Sequence, residues 1–175
     1  MLQGRLLRSA GLAAALALAL PVTAQESEGE AGSGESERVV PALRFSIGEQ
    51  FTEAQTCLDE GDIPCAQEIL QDVSEIRDLN TYEEGQLYNF RAFLSFELDD
   101  TDGAIEAYES LMALPQEELP AGLISSSMRN LATLYLQVDR LQEGLDLYQE
   151  WMALPSVTPN SSDYYLLASI YYQLE

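Results

Sequence analysis

Catalysis near neutral pH draws on histidine, lysine or an activated cysteine, and this chain is short of all three. It has no His, and its 8 basic residues are all Arg. Without histidine there is no ordinary acid–base side chain and no Ser-His or Cys-His pair. Without lysine there is no Schiff base and no phosphate-binding ammonium. No Gly-rich phosphate loop is present. Carboxylates are abundant, with 30 Asp and Glu. Paired carboxylates cleave glycosides, but in so acidic a chain pairs arise by chance. Asp99, Asp100 and Asp102 have the atoms calcium prefers without the ligand loop of an EF-hand; helix capping accounts for them. The residues therefore imply no enzyme, no metal and no cofactor.

Cys57 and Cys65 are the only cysteines. They flank Gly61 symmetrically, which suits a bridge across a helical turn in an oxidising compartment. Two buried free thiols are the alternative. Two Cys without His are too few for zinc.

An oxidising destination is what the N-terminus suggests. Arg5 and Arg8 precede an unbroken apolar run from Leu12 to Leu20, and Val22-Thr23-Ala24 offers a small-x-small cleavage site before Gln25. These are the parts of a secretory signal peptide over 1–24. The apolar run is too short to span a bilayer, and no lipid-attachment Cys follows it. Secretion to the periplasm of a Gram-negative bacterium is expected, with no direct membrane insertion once the signal is removed. A Gly, Ser and Glu stretch over 25–37 reads as a flexible acidic linker. Loss of Arg5 and Arg8 takes the net charge of −22 to about −24. Nucleic acid and anionic lipid are disfavoured as partners, because no basic stripe is there to neutralise phosphates. A basic or neutral protein is permitted; the acidity also fits simple solubility in a salt-adapted host.

From 38 to 175 the pattern is helical throughout. Leu87, Phe90, Leu94 and Leu98 keep the step of one helical face; Asp99 to Gly103 interrupts; Ala104, Tyr108, Leu111 and Met112 resume it; Pro115 closes the unit. Small residues then recur in pairs twelve apart: Ala54 with Ala66, Ala92 with Ala104, Ala132 with Gly144. Ala168 begins a fourth. Small residues at those places let paired helices approach closely, and the recurrence predicts a helical solenoid. Helix is expected from about Ala42, with Thr81 and Glu84 as the capping box of the central hairpin and a seventh helix starting near Ser162.

The turn phrases Gly61 to Ala66, Asp100 to Ala104 and Asp139 to Gly144, with Tyr108, Tyr135, Tyr148 and Tyr171, resemble a tetratricopeptide repeat. Cys57 and Ser95 depart from the family at its first Tyr site, and Gly144 stands for Ala. The resemblance implies an all-α fold, a tetratricopeptide-like helical-hairpin solenoid or superhelix of about three and a half repeats (47–80, 85–118, 125–158 and a partial 161–175). It also implies a protein-binding groove lined by the first helix of each hairpin. Carried onto this sequence, the groove comprises Phe51, Gln55 and Leu58; Gln86, Asn89, Phe93, Phe96 and Glu97; and Arg129, Thr133, Leu136 and Gln137. Phe51, Phe93 and Leu136 have a second reading, as packing between hairpins. Asn89 and Arg129 discriminate, because core packing asks for neither. With Arg129 the single cation, capture of a terminal carboxylate is not expected.

Two further blocks, Leu79 to Glu83 and Gln86 to Phe93, with the entry Arg38 to Ala42, resemble the periplasmic tetratricopeptide proteins found with TonB–ExbB–ExbD systems. That likeness implies a non-enzymatic scaffold accessory to TonB-dependent outer-membrane transport. The alternatives are an adaptor for outer-membrane or peptidoglycan assembly, or the regulatory repeat domain of a longer enzyme.

Overall fold

The computed structural model describes residues 40–174. The expected signal peptide, its cleavage site at Ala24 and Gln25, and the linker 25–37 lie outside the described residues. Within them the chain is all-α, seven α-helices with no strand: α1 Phe45–Glu60, α2 Ile63–Ser74, α3 Thr81–Glu97, α4 Thr101–Met112, α5 Ala121–Gln137, α6 Leu141–Met152 and α7 Ser161–Leu174, with a 3₁₀ turn at Gln116–Glu118. Helices α1 and α2, α3 and α4, and α5 and α6 fold back on each other as hairpins, and each hairpin packs on the next.

The three hairpin turns are the same turn. Gly61, Asp99 and Asp139 take left-handed φ values of 75°, 55° and 60°. In each, the following amide reaches back five residues: Asp62 to the Cys57 carbonyl at 2.8 Å, Asp100 to Ser95 at 2.8 Å, Arg140 to Tyr135 at 2.9 Å. That return bond satisfies carbonyls which the end of a helix otherwise leaves open. Asp62 and Asp100 then cap the second helix, accepting from the Cys65 and Gly103 amides.

All six paired small residues are buried. At Gly144 the helices approach closely: a Cβ there would sit 2.6 Å from Leu136 Cδ2 and 3.0 Å from the Ala132 carbonyl oxygen. The glycine where the repeat pattern asks for alanine is thus required by the approach of α5 to α6.

Two local expectations are corrected. Helix α1 starts at Phe45 rather than Ala42, because residues 42–44 are held extended by the start of α3. The Arg44 amide donates to Glu83 Oε1 at 2.9 Å, its guanidinium grips both carboxylate oxygens, and Asn80 Nδ2 donates to the Ala42 carbonyl at 3.0 Å. The capping box of α3 is Asn80 with Glu83, not Thr81 with Glu84. Both pairs have the required spacing; Arg44 selects Glu83. The Thr81 hydroxyl donates instead to Glu118. Helix α7 repeats the device: Asn160 Oδ1 accepts from the Ser162 amide at 2.8 Å, and Asp163 Oδ2 from the Asn160 amide at 2.7 Å.

Candidate functional site

The hairpin geometry opens a groove between α3 and α5, floored by α4. Ala92 and Ala104, being small, leave a cavity of about 270 Å³ lined also by Phe93, Phe96, Tyr108, Asn130, Thr133, Leu134 and Gln137. Four of the expected groove residues are brought together here: Phe93, Phe96, Thr133 and Gln137. The two phenylalanines stand on one helical face, 47% and 60% exposed. Together they place apolar area at the mouth of the cavity.

The polar group at the floor comes from a residue absent from the expectation. Asn130 Nδ2 donates to the buried Tyr108 hydroxyl at 2.9 Å, and burial pushes the Tyr108 pKa up. Asn130 lies between Met128 and Leu131, both buried. A polar residue inside an apolar period was the available signal. Tyr108 is neutral at physiological pH, and no carboxylate, thiol or base lines the cavity. The arrangement can hold a bulky apolar side chain and hydrogen-bond a backbone beside it; it has no pair for proton transfer.

The other expected residues lie apart from this cavity. Phe51 takes the second of its two readings, packing between hairpins: it is 5% exposed and stacks on Phe90, ring centroids 5.1 Å apart, joining α1 to α3. Gln55 is exposed, its amide donating to Asp59 at 2.7 Å, and Leu58 is half-buried. Gln86 is half-buried and donates to the Tyr82 hydroxyl at 3.1 Å; Asn89 is half-buried; Glu97 is exposed. Leu136 is half-buried against Gly144. Arg129 does not stand free. Its guanidinium lies 5.0 Å from the Trp151 ring centroid and 3.8 Å from Asp163 Oδ1, so it ties α5 to α6 and α7. Asp163 also accepts from the Tyr148 hydroxyl at 2.6 Å. That bond, the Asn160 amide and the charge of Arg129 hold its carboxyl below the usual range.

The structure joins Cys57 to Cys65, Cα atoms 5.8 Å apart, across the first turn. Among the described residues, no three or more His, Cys, Asp or Glu are grouped to hold a metal ion, and no helix is long and apolar enough to cross a membrane. No protein-family model matches the chain, and no curated protein sequence matches it.

Proposed function

We propose that the chain is a tetratricopeptide-like solenoid acting as a non-enzymatic binding scaffold in the periplasm, accessory to a TonB-type energy-transducing complex. The observation that carries the binding role is the aromatic-walled groove between α3 and α5, with no acid–base pair inside it. The hairpin turn repeated at Gly61, Asp99 and Asp139 supports the repeat reading. Export rests on the leader-like run and the Ala24–Gln25 junction. The TonB association rests on the resemblance carried by Leu79 to Glu83, Gln86 to Phe93 and the entry Arg38 to Ala42; Asn80 Nδ2 donates to the Ala42 carbonyl at 3.0 Å, so the first of these blocks touches the end of the entry. The acidity of the chain favours a basic or neutral segment as the bound element.

The test replaces the two exposed rings. A Phe93→Ser, Phe96→Ser variant should keep its helical signal and melting temperature, since both side chains are largely outside the core. It should lose co-purification with the TonB–ExbB–ExbD complex from solubilised envelopes. If the variant is retained as well as the wild type, the groove is not the contact. If the wild type itself is not retained, the TonB assignment falls.

A further inference from the structure

A second groove lies between α4 and α6, and it shares no lining residue with the cavity between α3 and α5. It is open, with a volume of about 470 Å³. Met112 and Leu147, both half-buried, and the exposed Ala113 offer apolar surface above the buried Leu131. Carboxylates stand around them: Glu109 on α4, and Glu143, Asp146 and Glu150 on α6. Steps of three and four residues put the last three on one helical face, along about 10 Å of the axis.

One end of this groove already holds a cation. The Arg140 guanidinium lies 4.0 Å from the Tyr135 ring centroid, donates to Glu143 Oε2 at 2.8 Å and to Glu109 Oε1 at 3.1 Å. Further along α6 the carboxylates have no such partner. Among the described residues neither Asp146 nor Glu150 is in an ion pair, and Asp146 accepts from the neutral Gln142 amide at 2.8 Å. Two carboxylates four residues apart on a helix repel each other, and a cation brought by a partner relieves that repulsion.

The lining also limits the shape of what binds. It consists of four carboxylates, four apolar side chains and Tyr135. The Tyr135 hydroxyl is the one side-chain donor of this lining, and it is spent on Glu109 at 2.8 Å. An extended segment laid here would leave its carbonyls against apolar groups and carboxylates, unpaired at a cost. A helix carries its backbone hydrogen bonds internally. We propose that this groove docks a basic amphipathic helix of a partner protein, its apolar stripe on Met112 and Leu147 and its Lys or Arg side chains on Asp146 and Glu150. The long basic stems lie along the apolar floor while their charged heads reach the carboxylates. This docking is independent of what occupies the cavity between α3 and α5.

The probe is a labelled synthetic peptide of about 15 residues, with leucines on one helical stripe and lysines flanking it, titrated with the purified chain by fluorescence anisotropy. Binding should weaken with added salt. It should fall about tenfold in an Asp146→Asn, Glu150→Gln variant and hardly change in a Glu68→Gln, Asp72→Asn variant. The second variant removes the same charge at the same spacing from the surface of α2. All four side chains are exposed, so both variants should keep the wild-type circular dichroism. A peptide of identical composition with its leucines dispersed should bind about tenfold more weakly. Equal weakening in the two variants, or equal binding of the two peptides, would mean attraction to net charge alone and overturns the proposal. A peptide with a central proline that binds as well as the helical one overturns it too, as does a helical peptide that does not bind.

Discussion

Glu83 has no solvent exposure and accepts from the Arg44 guanidinium, the Arg44 amide and the Asn80 amide. The Arg44 side chain is the largest cause of its depressed pKa, lowered from 4.5 to about 2. A carboxylate whose folded pKa is depressed contributes stability that is fully present above its unfolded value and lost as pH falls through the folded one. The contribution is thus whole above about pH 5 and gone near pH 2. Glu83→Gln should cost about 2–3 kcal/mol at neutral pH, and the difference from wild type should shrink across that acid window. Urea melts at a series of pH values measure it; a difference that stays constant with pH contradicts the account. The turn aspartates make the opposite kind of prediction. Asp99 and Asp139 occupy left-handed backbone, where an L side chain is strained and glycine is not. Asp99→Gly and Asp139→Gly should each raise stability by about 0.5–1 kcal/mol. Either one lowering the melting temperature would refute the strain at that turn. The sequence marked these aspartates as turn residues. Their conformational identity with Gly61 was not readable, because the return bond is a backbone property.

At the scale of elements, the hairpins were legible because close packing demands small residues at a fixed spacing, and burial of all six follows that demand. Helix starts were less legible. The register of α3 depends on Arg44, a residue 39 positions away from Glu83, which no local pattern contains. Two glycines separate packing from propensity. Gly144→Ala gains helix propensity yet must push aside Leu136 and the Ala132 carbonyl, so it should destabilise by about 1–3 kcal/mol. Gly122 in α5 has open space where a Cβ would stand, with no neighbour within 4 Å, so Gly122→Ala should stabilise by about 0.5 kcal/mol. Chemical denaturation of both variants checks the pair, and equal effects would show that helix approach is not limiting at Gly144. The first hairpin carries its own test. The Cys57–Cys65 bridge closes a short loop, so reduction should add about two daltons and cost about 2–3 kcal/mol. An unchanged mass would mean that the thiols are free.

Across the whole molecule, the site was legible in part. Phe93, Phe96, Thr133 and Gln137 gather because three- and four-residue steps put them on facing sides of α3 and α5. Phe51 and Arg129 lie apart from the cavity for a shared reason. Each has the right position on its helix, but a neighbour in space claims it: Phe90 in one case, Trp151 and Asp163 in the other. Which positions a neighbouring helix occupies is a property of the packed chain, not of any one hairpin. Asn130 entered the site by the converse route, as an interior polar residue whose partner is the Tyr108 hydroxyl on α4. The binding site proposed above is the aromatic-walled cavity between α3 and α5. A photo-reactive phenylalanine analogue tests that most directly, placed at Phe96 in the cavity wall or at the exposed Glu106 on α4, with irradiation of cells carrying the native envelope. The predicted result is a single protein adduct from position 96 and none from position 106. An adduct from position 106 with none from position 96 would contradict the assignment of the groove as the binding site.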